Sequence, residues 1–410
     1  MSSDPAVVPS IDEQDELAAV RDRFVLPAGV IYLDGNSLGA LPASVPGAVT
    51  EVVRTQWGQD LIRSWNSHDW WQLPGRVGRQ IGRLIGAADG QVMCGDSTSV
   101  QLFQALVAAC RLRPGRTTII TDGESFPTDQ YLADAVADLL GLSVLRLHPS
   151  ELADRLTDDV AAVSFSHVDY RTGELFDAAA ITGEAHRAGA LMIWDLCHSA
   201  GVLPVRLDEI GADFAVGCSY KYLNGGPGAP GWIYVADRHL GSAPLPLTGW
   251  HGHRAPFALE GRYQPAESIE RARIGTPPVL SMAALAEALT VFDEVDLAAV
   301  RRKSLALTDL VIDFARTELT EFGVTVATPL EHARRGSQVS LRMPDAYAVC
   351  QELISRGVIG DFRAPDLLRL GFAPLYLRFA DVRAALAQLR EVLADGSYAD
   401  GRHAARAAVT

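Results

Sequence analysis

Cysteine is scarce in this chain and nowhere paired. Five residues, Cys94, Cys110, Cys197, Cys218 and Cys350, are scattered over 410 positions, with no CxxC spacing among them. That pattern excludes a disulfide framework and a clustered zinc site, and it suits reduced, mostly buried thiols in a cytoplasmic protein. Long apolar runs are missing too: none approaches the ~20 residues that span a bilayer. The opening MSSDPAVVPSIDEQDELAAV carries acids where a secretion signal would have a basic start and an apolar stretch. Basic charge is in deficit, with 36 Lys and Arg against 50 Asp and Glu and a formal net charge of −14. An acidic surface of that size argues against nucleic acid or an anionic membrane as partner, while leaving a small anionic ligand open. Repeats, low-complexity tracts and charged tails are absent.

What remains is ordinary globular material, 48% hydrophobic with a mean hydropathy of +0.10, enough for a large core. Residues 1–45 read as an N-terminal arm, with an amphipathic helix near Asp12–Phe24, that also contributes to a small domain. From about residue 90 short apolar runs alternate with segments of helical length. Thr117–Asp122, Ser143–Leu147, Val160–Val168, Ala190–Leu196, Phe214–Tyr220 and Gly231–Asp237 read as strands, and Pro127–Leu140 and Ala178–Ala188 as helices between them. Strands apolar on both faces predict a mostly parallel sheet covered by helices, an α/β domain spanning 46–280. After the break at Gly275-Thr276-Pro277-Pro278 one long helix is expected over Val279–Glu318. A smaller α+β domain then completes 281–410, with strands at Ser337–Met343 and Asp366–Phe372 and helices at Ala346–Arg356 and Ala380–Asp395. The expected site lies between the two domains.

Three features of the α/β region converge on one chemistry. Lys221, in Ser219-Tyr220-Lys221-Tyr222-Leu223-Asn224-Gly225-Gly226, follows an apolar strand and precedes a glycine-rich turn, so it projects from a strand end where ligand clefts form. Asp195 ends Ala190–Leu196, with His198 three positions on; it is either a cap or the partner of a ring nitrogen. The interval of 26 residues from Asp195 to Lys221 admits one helix-and-strand passage, returning both to the same sheet edge. Ser97 and Thr98, in Gly95-Asp96-Ser97-Thr98-Ser99, open a helical run, where free N–H groups and hydroxyls cap a helix or cradle a phosphate. A lysine for a Schiff base, an acid for a pyridine nitrogen and a phosphate cradle are together what pyridoxal phosphate requires. Phe126 and Asp129 would stack on and contact its ring, or serve as core and cap. Arg369, flanked by apolar residues in Leu368-Arg369-Leu370-Gly371-Phe372, needs a carboxylate; a bidentate substrate carboxylate or an intramolecular salt bridge would serve. His251-Gly252-His253 offers two metal ligands without a third, so no metal is expected.

Tyr32–Pro42 (YLDGNSLGALP), FPTDQY, FSHVDYRTG, Trp194–Leu207, Gly211–Gly231, GWHGH, RIGTPP and GFAPLY stand in one order from about residue 30 to 385. These blocks resemble the kynureninase family, bacterial type. The resemblance implies the type I fold of pyridoxal-phosphate enzymes, working as a homodimer with the site at the subunit interface. It implies Lys221 as the Schiff-base residue, Asp195 on the pyridine nitrogen, His198 and Asp129 in support, and Phe126 stacked on the ring. Ser97, Thr98 and Tyr220 would hold the phosphate, with Trp250 and Thr276 reaching it from the neighbouring subunit. Arg369 would clamp the substrate carboxylate, with Asn36 and Trp65 completing the substrate site. The reaction implied is hydrolysis of the Cβ–Cγ bond of L-kynurenine to anthranilate and L-alanine in tryptophan catabolism, with Tyr220 as proton donor or relay. Thr276 matches the bacterial pattern and favours kynurenine over its 3-hydroxy derivative, unless His68 enters the pocket. A desulfurase-like lyase and a non-catalytic cofactor-binding protein are the competing readings. The first needs a reactive cysteine on a mobile loop, and the second would have lost Lys221, Asp195 or Arg369.

Overall fold

A computed structural model describes residues 12–399 and 401–403. The chain forms two units, one of Ser44–Val168 and Phe176–Thr290, the other of the segments up to Ala43, Asp169–Leu175 and from Val291 onward.

The first unit is built on a seven-stranded sheet: β1 (Val92–Cys94), β2 (Thr118–Thr121), β3 (Ser143–Arg146), β4 (Val160–Ser166), β5 (Leu191–Asp195), β6 (Phe214–Gly217) and β7 (Trp232–Val235). Their order across the sheet is β1-β7-β6-β5-β4-β2-β3. Only β7 runs against its neighbours, β1 and β6; every other adjacent pair is parallel. Apart from the edge strand β3, which is partly exposed, the strands are almost wholly buried, as their unbroken apolar runs require when helices cover both faces. Helices α1 (Val45–Glu51), α2 (Leu73–Ile85), α3 (Thr98–Arg111), α4 (Pro127–Leu140), α5 (Ala178–Arg187) and α6 (Val279–Ala288) belong to this unit. The buried face of α3, with Leu102, Ala105, Leu106 and Ala109, packs in one cluster with Ile119, Ile193, Phe214, Val216 and Ile233. Its small alanines let helix and sheet approach closely, and Ser97 starts it by accepting the Val100 N–H.

The second unit carries a four-stranded sheet of β8 (Thr325–Val326), β9 (Gln338–Arg342), β10 (Asp361–Arg363) and β11 (Leu367–Gly371), ordered β8-β9-β11-β10 and antiparallel throughout. Helices α7 (Leu297–Glu318), α8 (Ala346–Ser355) and α9 (Phe379–Asp395) complete it. The register sets Asp361 directly opposite Arg369.

Two expected helices are corrected. Over Asp12–Phe24 the helix is interrupted: Asp12 and Glu13 are helical, a turn follows, and a 3₁₀ segment covers Ala18–Arg23. The acids ahead of it serve long-range contacts: Asp12 accepts the Phe379 and Ala380 N–H groups at the start of α9, and Asp15 pairs with Lys303 at 2.6 Å. The long helix over Val279–Glu318 is two helices, α6 and α7. Asp296 caps α7 by accepting the Ala298 N–H at 2.9 Å, so a local cap overrides continuous helical periodicity.

Candidate active site

Parallel strands deliver their C-terminal ends to one edge of the sheet, and the chemistry gathers there. Asp195 is the last residue of β5 and is buried; its carboxylate accepts the Cys197 N–H at 2.6 Å. His198 lies in the turn that follows. Lys221 follows β6, and its Nζ is 2.9 Å from His198 Nε2. Asp129, in the first turn of α4, is buried, with Ser125 Oγ at 3.0 Å and Ser166 Oγ at 3.4 Å on its carboxylate. Burial and the charge of Asp195 push the Asp129 carboxyl up to about 8, against the opposing hydroxyls and Lys221. Two buried acids thus answer a single lysine. Such a cluster suits an added positive group, and the protonated nitrogen of a pyridine ring is one.

The α3 N-terminus carries the two residues expected at a phosphate. Ser97 is its N-cap and Thr98 its first helical residue, so hydroxyls and the positive end of the helix dipole share one place. Gly231, at the head of β7, locks this turn: its N–H donates to Asp96 O and its carbonyl accepts the Gly95 N–H, each at 2.9 Å. A Cβ on Gly231 would come within 2.6 Å of the Thr98 nitrogen, so no larger residue fits. Phe126 caps α4 and is 48% exposed, leaving ring surface available for stacking. Burial, followed by the neighbouring Cys218 and Cys197, pushes the Tyr220 phenol well above its ordinary range, so it holds its proton. Ser125, Ser166 and Gly231 escaped the sequence reading. Ser125 stands four residues before Asp129, but hydroxyls near a strand end are too common to single out, and Gly231 is one glycine among 36.

Trp65 and Trp250 lie elsewhere in the same unit, in an aromatic cluster. Trp65 packs edge-on to Trp70 and Trp71, with ring centroids 5.7 and 6.4 Å apart. Trp250 meets Trp71 at 5.5 Å and His251 at 4.1 Å. Within the chain no ring contact or hydrogen bond joins Trp65 or Trp250 to Lys221 among the described residues. Thr276 is exposed in the turn before α6. His251 and His253 form no metal site; no grouping of three or more potential ligands occurs among the described residues. His68 pairs with Asp60 at 2.8 Å.

The second unit holds Arg369 and Asn36. Arg369 is 1% exposed and already partnered. Its Nε donates to Asp361 Oδ1 at 2.7 Å, Nη2 to Asp361 Oδ2 and to Ser37 Oγ at 2.9 Å, and Nη1 to the Tyr170 carbonyl at 2.6 Å. The intramolecular salt bridge therefore exists. These bonds engage four of the five guanidinium hydrogens, so an incoming carboxylate meets one Nη1 hydrogen instead of an open fork. Asn36, 1% exposed, lies over Gly371, where a Cβ would clash with the Asn36 amide. Oriented by its neighbours, its amide accepts from Arg369 Nε at 3.0 Å and donates to Asp34 Oδ1 at 3.3 Å.

Residues 300–389 match the model of the kynureninase C-terminal domain. The chain is 47% identical over 408 residues to the kynureninase of Pseudomonas fluorescens, covering 98% of both chains. It belongs to the kynureninase family. A kynureninase from Deinococcus radiodurans is 50% identical over 396 residues, 95% of this chain and 96% of that one. Among solved structures, the apo cysteine desulfurase of Thermococcus onnurineus superimposes with a TM-score of 0.78 at 19% identity, over 92% of this chain and 98% of that one. A variant of the lyase C-DES with glycine linked to its pyridoxal-phosphate cofactor gives 0.78 at 17%, over 90% and 99%. These two likenesses show the type I fold. Membership of the kynureninase family rests on the sequence matches, and the family's enzymes are pyridoxal-phosphate-dependent hydrolases. No helix among the described residues is long and apolar enough to cross a membrane.

Proposed function

We propose that this chain hydrolyses the Cβ–Cγ bond of L-kynurenine, giving anthranilate and L-alanine, with pyridoxal phosphate held at the edge of the seven-stranded sheet. The observation that carries the reading is Lys221 Nζ 2.9 Å from His198 at the same edge as Asp195 and Asp129, in a chain 47% identical to a kynureninase over nearly its whole length. Asp195 would pair with the pyridine nitrogen, with Asp129 and His198 beside it and Phe126 on the ring face. Ser97, Thr98 and Tyr220 would hold the phosphate at the α3 N-terminus. Bound there, the cofactor supplies an electron sink for Cα.

The residues of this chain supply the proton chemistry and the recognition. Lys221, next to His198, would take a proton from Cα and return it. Tyr220, kept protonated by burial, would give a proton to the γ-carbonyl oxygen as water adds there and take one back as the gem-diol collapses with cleavage of Cβ–Cγ. Arg369, with Asn36 beside it, would take the substrate carboxylate. The pairing of His68 with Asp60 keeps that ring engaged elsewhere and favours plain kynurenine over the 3-hydroxy derivative. The working form would be a homodimer, in which Trp250 and Thr276 reach the phosphate from the neighbouring subunit and Trp65 lines the substrate site. Supporting it are the exposed apolar side chains around the aromatic cluster: Trp57, Leu61, Ile62, Phe257 and Leu259 are 56, 59, 76, 73 and 80% exposed.

Absorbance and fluorescence of the purified protein test the proposal. A visible cofactor band together with anthranilate emission from L-kynurenine, weaker turnover of 3-hydroxykynurenine and dimer mass in solution are the expected results. A cofactor band with no anthranilate would sink the reaction while keeping the cofactor. A desulfurase-like activity finds no support in the cysteines: four are buried, and the fifth, Cys197, accepts the Cys218 N–H on its sulfur at 3.2 Å.

A further inference from the structure

The second unit contains a buried set of charges larger than carboxylate recognition needs. Arg369 from β11 and Arg363 from β10 both bond to Asp361, Arg363 Nη2 lying 2.6 Å from Asp361 Oδ2. Asp34, in the segment after the Ile31–Tyr32 strand, bridges to Gly371 at the end of β11 and is 7% exposed. Tyr32 from that strand, Cys350 from α8 and Tyr170 also face the cluster, all uncharged at neutral pH. Two arginines therefore balance two aspartates.

The two acids are held unequally. Asp361 accepts from Arg369 Nε and Nη2, from Arg363 Nη2 and from Ser37 Oγ at 3.0 Å. Asp34 has the Asn36 amide at 3.3 Å and shares the one Ser37 hydroxyl hydrogen with Asp361, and among the described residues no arginine bonds to it. A further carboxylate docking on Arg369 would leave one negative charge in excess in a place where water cannot screen it, which is strongly unfavourable. The carboxylate with fewest donors is the one that yields.

We propose that Asp34 takes up a solvent proton as a carboxylate docks on Arg369, so that ligand and proton bind this cluster together. The inference rests on Arg369 being the carboxylate site. Asp34 is thus a positioning residue: it touches no reacting atom, but its protonation sets how firmly Arg369 accepts an anion. Burial and the charge of Asp361, against Ser37 and the two arginines, raise the Asp34 carboxyl to about 7, which puts the exchange within the working pH range.

The test uses the cofactor-loaded enzyme and 3-benzoylpropionate, an aryl keto acid without an amino group, with its carboxamide as control. Calorimetry at pH 8 in two buffers of different ionisation enthalpy reads the protons taken up per ligand. Expected are uptake approaching ~1 proton per site for the acid, none for the carboxamide, and a dissociation constant rising about tenfold per pH unit above 7. In Asp34→Asn the uptake and the slope should both vanish. If wild type takes up no proton while Arg369→Gln still weakens the acid, the proposal is overturned and the carboxylate site stands. Equal binding of acid and carboxamide, unchanged in Arg369→Gln, overturns both. Uptake that persists in Asp34→Asn locates the proton elsewhere and overturns the role of Asp34. Should Asp34→Asn not fold, Asp34→Ser makes the same removal, and absence of wild-type uptake remains decisive by itself.

Discussion

Two buried acid pairs sit in this protein, one in each unit, and they are solved differently. At the edge of the seven-stranded sheet Asp129 and Asp195 share one lysine, with hydroxyls and a histidine around them. In the four-stranded sheet Asp34 and Asp361 share two arginines, which stay charged at any working pH. The first arrangement is short of positive charge, which suits the cofactor site proposed for it. The second is balanced and rigid. It fits a recognition element whose cation must not change state, and it leaves any proton exchange to an acid.

The most damaging way to sharpen this contrast is Lys221→Ala. It should cost at least about a thousandfold in turnover, read as anthranilate fluorescence, because its proton transfer and its link to the cofactor go together. Its denaturation midpoint should move little. The reverse is expected for Asp361→Ala, which strands buried Arg369 and partly buried Arg363 and should lower stability by ~3–5 kcal/mol in a denaturant titration. Equal destabilisation by the two variants would break the comparison. Arg369→Lys keeps charge but loses the planar donor set that orients it between Asp361, Ser37 and the Tyr170 carbonyl, and should raise KM about 10- to 100-fold with much less effect on kcat.

A pH series separates the acids further. The Asp34 carboxyl is raised, to about 7, above its unfolded value, so it stabilises the fold fully below the unfolded value near 4 and loses that contribution as pH rises through 7. Wild type should therefore lose stability between pH 5 and 8 on the order of a few kcal/mol, and Asp34→Asn should lose less. An unchanged pH dependence in that variant would remove Asp34 as the titrating group. The smallest effect belongs to Ser97→Ala, about 1 kcal/mol from the lost α3 cap, with a weakened hold on the cofactor phosphate as its distinguishing sign.

Much of the first cluster was legible beforehand. Asp195, Lys221 and the Ser97–Thr98 turn each stand at the end of an apolar run or the start of a helical one, and parallel strands bring such ends together by rule. The second cluster was half legible: a charged residue inside Leu368-Arg369-Leu370 announces a buried partner without saying which. Its partner Asp361 is eight positions away in sequence and directly opposite in the sheet, a matter of register. The aromatic cluster of Trp65, Trp71, Trp250 and His251 was not legible, because its members come from segments with no shared periodicity.

The sequence by itself determined the α/β order of strands and helices and the family, and it set Lys221 and Asp195 at strand ends. Those depend on local pattern: burial on both faces of a strand, a cap before a helix, a block of residues in a set order. Tertiary structure decided which charges neutralise one another, why Asp129 holds its proton while Asp361 is bound by arginines, and that Arg369 is engaged before any substrate arrives. Those outcomes come from register and burial, since the energy of a charge depends on what lies within a few ångströms of it, whatever the distance along the chain.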